Sequence, residues 1–430
     1  MNDPAAPLAE AGEMLPGSPL PEGPEASTQL PHFAVALRHR DFRLFWSGNF
    51  LSNIGTWMQN VAQGWLVLQI TNSAFWLGVV GFASTIPFLL FALVGGVIAD
   101  HVDKRKLLLV TQSVMMVIAF TMAALAYWKV IRIWEIGLLG MGTGIAMALN
   151  TPGYQVLVPR LVPREELTNA IALNSAQYNM SRVLGPTLGG LAMAVVGVAG
   201  NFFLNGLSFL AVILALTRIH YGKNVALEEG HLWFKMKQGF AYVFGRPEMR
   251  ALVLLVAIAS LLVFPYLTFI PYFARDVLHS DAKGLGVLMA CAGAGSFVAA
   301  GTIAYLGKMH HRGRFVVRSA MGFYLAIIAF SFSHLFYLSC ALLTVAGFFM
   351  ILMAATMNSL LQHLAEDEMR GRTMSIYSTA FLGLPPIGSL ITGSLTHLAR
   401  PAFVIAGMAA LAAVATFFLY NRQNALRELD

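Results

Sequence analysis

Long apolar runs constrain this chain more than any other feature of its sequence. Runs of about 20 such residues match the hydrocarbon thickness of a bilayer. Of the 430 residues, 57% are hydrophobic and 11% are charged, whereas soluble domains carry about 25% charged residues. The sequence therefore predicts an all-α membrane protein and argues against soluble enzymes, secreted disulfide scaffolds and nucleic-acid binders. The twelve expected spans are 42–70, 74–99, 107–128, 134–151, 168–198, 201–219, 251–273, 285–306, 315–333, 336–357, 373–398 and 401–420.

The distribution of basic residues predicts how the chain is oriented. Twenty-two Lys and Arg fall in the tails and loops on the side of the N-terminus, and five fall in the loops on the other side. Membrane proteins concentrate positive charge in their cytoplasmic loops. Because twelve spans return the chain to its starting side, we expect both termini to be cytoplasmic.

Segments outside the spans divide the chain. The first 30 residues hold six prolines and five acidic residues but no basic ones, a composition typical of disorder. In the longest loop, aromatic residues alternate with lysines, which favours an amphipathic helix at the membrane interface over a plain solvated linker. The expected divisions are a cytoplasmic tail at 1–35, a bundle at 36–219, a linker at 220–250, a bundle at 251–421 and a tail at 422–430.

The two six-span halves repeat each other at an offset of a little over 200 residues. Gly185 and Gly190 of span five correspond to Gly388 and Gly393 of span eleven. Two related six-helix halves around a midplane site are the plan of a secondary transporter. We therefore expect two pseudo-symmetric bundles rather than an enzyme.

One face of the first span carries a stripe of polar side chains. Its members recur every three or four residues, the spacing of one helical face. A stripe of this length faces water, a small-molecule substrate or another helix, and interhelical hydrogen bonds contribute only about 0.6 kcal/mol each. Since five residues exceed what one packing seam needs, we favour a cavity. The stripe is Asn49, Asn53, Thr56, Asn60 and Gln63, with Trp57 beside it.

Span five carries the only charged side chain deep within a span, Arg182. Asn174, Gln177 and Tyr178 precede it on a similar polar face. An unpaired arginine at this depth costs at least about 2.5 kcal/mol, so it needs a partner, a wet cavity or an anionic ligand. The sequence leaves open whether Arg182 contacts a substrate or has a structural or gating role.

The remaining candidates for gating and for the cavity are glycines, prolines, methionines and one serine. Proline removes a helical hydrogen bond, glycine permits close helix contact, and methionine adapts to varied apolar shapes. The candidate gating residues are Gly185, Pro186, Gly189, Gly190, Pro385 and Pro386. The candidate cavity residues of the second half are Met353, Met357 and Ser378.

Several kinds of site have no support in the sequence. Cys291 and Cys340 lie inside apolar runs, where packing explains them. The chain has no metal-ligand spacing and no Gly-x-x-x-x-Gly-Lys run that would cradle ATP. We expect no metal, no cofactor and no direct use of ATP.

The loop after span two is a specific motif. It reads Gly96-Val-Ile-Ala-Asp100, followed by a basic cluster that contains Arg105, and it resembles the signature loop of the major facilitator superfamily. In that superfamily the aspartate latches one access state against a basic residue and a helix N-terminus. The resemblance implies that Asp100 is a latch, with Arg105 nearby and the start of span eleven, around Arg372 and Thr373, as its partner.

Three further motifs narrow the resemblance. The run Gly-Pro-x-x-Gly-Gly at 185–190 is similar to the second half of the antiporter signature of this superfamily. The runs Asp-Phe-Arg-Leu-Phe-Trp at 41–46 and Met-Arg-Gly-Arg at 369–372 resemble the enterobactin-exporter and macrolide-efflux branch. The resemblance covers residues 35–422.

The resemblance implies a monomeric transporter of the bacterial inner membrane. It would export drug- or siderophore-like amphiphiles by alternating access, driven by proton antiport. No span contains a carboxylate at depth, so the candidate proton-coupling residues are Asp41, Asp100 and Glu135. The alternatives are a lysophospholipid flippase, an importer of a small anion that uses Arg182, and a non-transporting membrane sensor or scaffold.

Overall fold

The computed structural model describes residues 32–219, 232–306 and 312–422, and the regular structure in these ranges is helical. A short 3-10 helix at His32–Arg38 begins the described chain and crosses the expected boundary between the tail and the first bundle; the earlier part of the tail lies outside the described residues. The first half comprises α1 (Arg40–Thr71), α2 (Ala74–His101), α3 (Lys104–Tyr127), α4 (Ile133–Leu157) and α5 (Leu167–Arg218). The second half comprises α6 (Leu232–Gly245), α7 (Pro247–Leu262), α8 (Tyr266–Tyr272), α9 (Ala282–Leu306), α10 (Arg312–Ser331), α11 (Phe336–Leu364), α12 (Asp367–Leu395) and α13 (Pro401–Arg422).

Ten segments of the described chain are long and apolar enough to cross a membrane. The segment Arg164–Arg218 contains two spans, because Gly197 takes a left-handed backbone conformation (φ 70°) at which α5 turns back on itself. Asn201 after this turn donates a 2.8 Å hydrogen bond to the carbonyl of Gly189 before it. The polar helix α1, with 32 residues, supplies a further span. The predicted all-α fold of twelve spans is confirmed.

Span seven is interrupted. Helix α7 ends at Leu262 and α8 begins at Tyr266, with Pro265 between them. A π-helical turn, Phe273–Val277, continues α8. Because proline cannot donate a backbone hydrogen bond, the break is a direct consequence of the sequence, and it fixes the position of Tyr266.

Two pairs of helices join the halves, and the internal repeat relates one pair to the other. Helix α2 packs on α12, and the first arm of α5 packs on α9. In the repeat, α2 corresponds to α9 and span five corresponds to span eleven. The interface therefore has the pseudo-twofold character that the sequence repeat predicts.

At the terminal face, where α1 begins and α13 ends, each half has a contact between a basic and an acidic helix N-cap residue. His39 caps α1 and lies 3.0 Å from a carboxylate oxygen of Glu166, which caps α5. Arg246 caps α7 and forms a hydrogen-bonded salt bridge with Glu366, which caps α12. We call these the N-cap pairs; they are repeats of one another.

The linker helix α6 belongs to the second half. Arg372 of α12 donates a 2.7 Å hydrogen bond to Gln238, and the Tyr242 hydroxyl accepts one from the backbone of Glu366. The hydrogen bond to Glu366 raises the pKa of Arg246, so the cation at this joint stays charged at physiological pH. These contacts attach α6 to the start of span eleven.

Candidate functional site

The halves are closed against each other at the distal face, where α1 ends and α13 begins. Two glycine pairs bring the helix backbones together there. A Cβ atom added to Gly190 would lie 2.4 Å from the Cα atom of Gly286, and one added to Gly78 would lie 3.0 Å from the Cα atom of Gly393. No larger residue fits these crossings without a shift of the helices. We call the two glycine pairs the distal seal.

Side-chain contacts reinforce the distal seal. Within the second half, the Thr268 hydroxyl lies 3.2 Å from that of Ser389, and a Cβ atom added to Gly81 of α2 would lie 3.1 Å from the Thr268 methyl group. Arg275 donates to the backbone carbonyl of Leu68 across the interface. Gly64 of α1 lies against Pro271 of α8. Together these contacts join the two halves at the distal face.

At the terminal face the described helices of the two halves separate. Helix α4 packs on α2 and α3, and α11 packs on α9 and α10, each within its own half. None of the extensive helix pairs in the described chain joins α4 or α5 to α11 or α12. Tyr178 of α5 and Ser378 of α12, on the terminal side of the distal seal, are exposed. These observations indicate a cavity between the halves that opens at the terminal face.

The polar stripe of α1 divides into ends that bond to other helices and a middle that does not. Gln63 donates a 3.0 Å hydrogen bond to Ser84 of α2. Asn49 is hydrogen-bonded to Tyr154 of α4, whose hydroxyl donates to Asn174 of α5 at 2.9 Å. These residues hold the first half together.

The middle of the stripe faces the gap between the halves. Asn60 is exposed, and it lies one turn from Gly64, which contacts the second half. Asn53 and Thr56 are partly exposed, and the Thr56 hydroxyl donates only to a carbonyl of its own helix. This part of the stripe can offer amide and hydroxyl groups to a bound molecule.

Trp57 and Tyr178 form an aromatic corner beside Arg182. Their ring centroids are 6.3 Å apart, and Tyr178 is 44% exposed. Arg182 is half-buried and interacts electrostatically with Tyr178 and with Tyr266 of the opposite half. Gln177 is buried, and neither polar atom of its amide has a hydrogen-bond partner. The corner therefore combines a cation, aromatic faces and unused hydrogen-bonding capacity.

The glycines at positions 185 and 189 of span five share one helix face and pack against α1. A Cβ atom at Gly185 would lie 2.4 Å from that of Trp57, and one at Gly189 would lie 3.0 Å from the Cα atom of Met58. Helix α5 continues through Pro186, and α12 continues through Pro385 and Pro386. The prolines do not divide these helices, because the neighbouring turns keep their helical conformation.

The methionines proposed to line the cavity lie elsewhere. Met353 and Met357 are each 1% exposed and belong to the hydrophobic core of the second half. Ser378 of α12 is exposed. An apolar helix face can pack into a hydrophobic core or line a cavity. The sequence pattern is the same in both cases, so it could not tell where Met353 and Met357 lie.

The proposed latch is described only in part. Gly96 and Asp100 belong to α2, but their side chains lie outside the described residues. Arg105 donates to the backbone carbonyl of Thr217, at the end of its own half. The proposed partner Arg372 donates a hydrogen bond to Gln238 of the linker helix α6.

Two of the candidate proton-coupling residues occupy helix N-termini. Asp41 lies in the first turn of α1. Glu135 lies in the first turn of α4, where its carboxylate accepts a 2.9 Å hydrogen bond from the backbone of Arg132 and closes a capping box. Carboxylates at these positions stabilise helices, which accounts for both residues without a proton.

Sequence reasoning missed Gly78, Gly286 and the role of Tyr266. Gly78 and Gly286 are each the fifth residue of their helices, α2 and α9. The internal repeat makes these helices equivalent, so a search of the repeat for paired glycines could have found both. Tyr266 could not have been found this way, because its position depends on the break in span seven.

Comparison with known proteins agrees with this architecture. Residues 32–430 match a protein family described as Transmembrane secretion effector. The chain is 25% identical to the staphyloferrin A transporter of Staphylococcus aureus over 389 residues, 90% of this chain and 97% of that protein. It is 23% identical to the enterobactin exporter EntS of Shigella boydii over 377 residues, 86% of this chain and 89% of that protein.

Solved structures share the fold. A mutant of the nucleoside transporter NupG superposes with a TM-score of 0.72 at 12% identity, covering 89% of this chain and 100% of that one. A bacterial homolog to the human lysosomal transporter Spinster, inward-facing and unoccupied, superposes with a TM-score of 0.64 at 15% identity, covering 92% and 96%. The chain belongs to the transmembrane secretion effector family and is a multi-pass membrane transporter of the major facilitator superfamily.

Proposed function

We propose that this transporter exports a siderophore-like or drug-like amphiphile from the cytoplasm by alternating access. The observation that carries the proposal is the contrast between the two faces: the distal seal joins the halves, whereas α4 and α5 make no extensive contact with α11 and α12 in the described chain. Relatives named for staphyloferrin A and enterobactin support a siderophore as cargo.

The proposed orientation gives the cavity its direction. With both termini in the cytoplasm, as the distribution of basic residues favours, the open end faces the cytoplasm of a bacterium and the distal seal faces outward. A cavity in this state can receive cargo from inside the cell. The two bundles, 36–219 and 251–421, would then rock to open the distal face.

Proton antiport is the driving force that we propose. Asp41 and Asp100 lie at the terminal end, where the halves separate, whereas Glu135 lies at the distal end, so we propose the first two as the coupling carboxylates. Proton uptake there would be linked to the separation of the halves, because both residues lie at the face that opens.

Inside-out membrane vesicles test export directly. Vesicles that contain the transporter should accumulate labelled enterobactin or staphyloferrin A when respiration acidifies their interior, and an uncoupler should abolish the uptake. Vesicles with the Arg182→Ala variant, inserted to the same level, should show no uptake above vesicles that lack the protein.

The alternatives are distinguished in the same vesicles. Uptake of labelled lysophospholipid in place of both siderophores would favour a flippase. Equal siderophore uptake with and without the transporter would overturn export of this class. Uptake that persists with the uncoupler present would overturn proton antiport.

A further inference from the structure

Polar groups from both halves meet beneath the distal seal without internal partners. Arg182, from span five, makes no hydrogen bond or salt bridge with the described residues, and its electrostatic interactions are with Tyr178 and Tyr266. Tyr266, from span seven, is 1% exposed, and its hydroxyl has no hydrogen-bond partner. Buried polar groups in folded proteins are nearly always hydrogen-bonded. A cation and an unused hydroxyl on opposite sides of one interface can therefore both bind a third group.

The surrounding contacts place Arg182 at the junction of the halves. Its neighbour Val183 lies against Gly293 of α9 in the second half. Gly190 of the distal seal follows Arg182 by two helical turns on the same helix. The site thus lies on the terminal side of the distal seal, where helices of the two halves are close enough for one ligand to contact both.

No protein carboxylate can serve as the missing group. The 21 acidic residues of the sequence lie in the tails, in the loops and at the ends of the spans. A cation held at depth without a counterion is costly. An anion that enters through the open face would remove this cost.

We propose that Arg182 and Tyr266 together bind an oxyanion of the cargo, such as a carboxylate, and so join the two halves through the ligand. The guanidinium supplies charge and a planar pair of donors, and the phenol supplies one O–H donor. Trp57 and Tyr178 offer aromatic faces for the adjoining part of the molecule. This inference rests on the proposed function, since it assigns an anionic amphiphile as the substrate class.

A matched pair of fluorescent probes tests the oxyanion site. Dansylglycine carries a carboxylate, and dansylamide has the same aromatic group without it. The purified full-length transporter should bind dansylglycine about tenfold or more tightly than dansylamide, because charge-assisted hydrogen bonds are the stronger kind. Dansyl emission during titration in detergent gives both dissociation constants.

Two substitutions separate the contributions of the halves. Arg182→Gln should abolish the preference for dansylglycine, and Arg182→Lys should restore part of it. Tyr266→Phe should weaken dansylglycine binding about threefold to tenfold, the effect of one lost hydrogen bond. Neither Arg182→Gln nor Tyr266→Phe should change the affinity for dansylamide.

Measurements of thermal stability show whether a substitution weakens dansylglycine binding only because it destabilises the fold. Since the Tyr266 hydroxyl has no partner, Tyr266→Phe should not lower the thermal unfolding temperature. Tyr324→Phe is the matched control: Tyr324 is equally buried in the second half, and its hydroxyl lies 3.5 Å from that of Thr416. This variant should retain the full preference for dansylglycine.

Clear outcomes would overturn the proposal. They are equal affinity for the two probes, no binding of dansylglycine by the wild type, or an unchanged preference in Arg182→Gln. Failure of vesicle export with an intact carboxylate preference would instead overturn the proposed function and leave the oxyanion site standing.

Discussion

Two adjacent residues of α1 have opposite environments. Gln59 is 5% exposed and accepts a 2.7 Å hydrogen bond from the amide of Asn205 in span six. Asn60 is exposed toward the gap between the halves and has no hydrogen bond among the described residues. One side chain stabilises the first half, and the other is free to contact cargo.

The first prediction compares alanine at these two positions. Gln59→Ala should destabilise the protein by about 1–3 kcal/mol, because it leaves the buried amide of Asn205 unpaired. Asn60→Ala should leave the unfolding temperature unchanged and alter the apparent affinity for exported cargo. Thermal unfolding and vesicle uptake, measured on both variants, check this. Equal losses of stability would contradict the assignment.

Sequence pattern could identify the polar stripe but not this division. Asn49 and Gln63 share the helical face of Asn60, and the spacing treats all three alike. What separates them is the presence of Tyr154 and Ser84 on neighbouring helices. Such partners arise from tertiary packing, which no local pattern contains.

At the scale of helices, the distal seal depends on the absence of side chains. Gly286 and Gly190 bring α9 and α5 into backbone contact. Gly301, on the same helix as Gly286, has nothing within 4 Å of an added Cβ atom. Gly301 is therefore a matched control for substitutions at Gly286 on the same helix.

The second prediction uses this contrast. Gly286→Val should force the distal face apart, because its Cβ atom alone would lie 2.8 Å from the Cα atom of Gly190. Gly301→Val should have no such effect. A Ser389→Cys reporter, in a background with both native cysteines replaced by serine, should react faster with an impermeant thiol reagent from the distal side only in the Gly286→Val variant. Equal labelling in both variants would argue against the seal.

Helix positions were largely predictable because bilayer thickness sets the length of an apolar span. Gly197 forms the turn between spans five and six, close to the expected boundary. The main departure is at Pro265, which interrupts span seven. The prolines within α5 and α12 lie inside continuous helices, and the bend expected at them stays a prediction.

At the scale of the whole molecule, we expect that opening of the distal face is coupled to closing of the terminal face. Glu165 and Glu368 are exposed residues at the terminal starts of spans five and eleven, in opposite halves. A change that separates the halves at the distal face should bring these two positions together.

The third prediction measures that coupling. Spin labels at Glu165→Cys and Glu368→Cys, in the cysteine-free background, should give a shorter mean distance when Gly286→Val is added. Gly301→Val should leave the distance distribution unchanged. An unaltered distribution in the Gly286→Val variant would show that the halves do not move as rigid bodies.

The access state was beyond the reach of sequence reasoning. Both states of an alternating-access transporter use the same spans and the same repeat, and they differ by only a few kcal/mol in how the halves pack. The pseudo-symmetry itself was predictable, because Gly185 and Gly190 have counterparts in Gly388 and Gly393.

The symmetry of the two glycine crossings has a mechanical consequence. Both glycine pairs, Gly190–Gly286 and Gly78–Gly393, bring helix backbones together at the distal face. Opening of that face has to separate the two pairs together, so neither contact can be the axis of rotation. The axis therefore lies between the distal seal and the terminal face, and cargo bound between the halves is close to the point about which they turn.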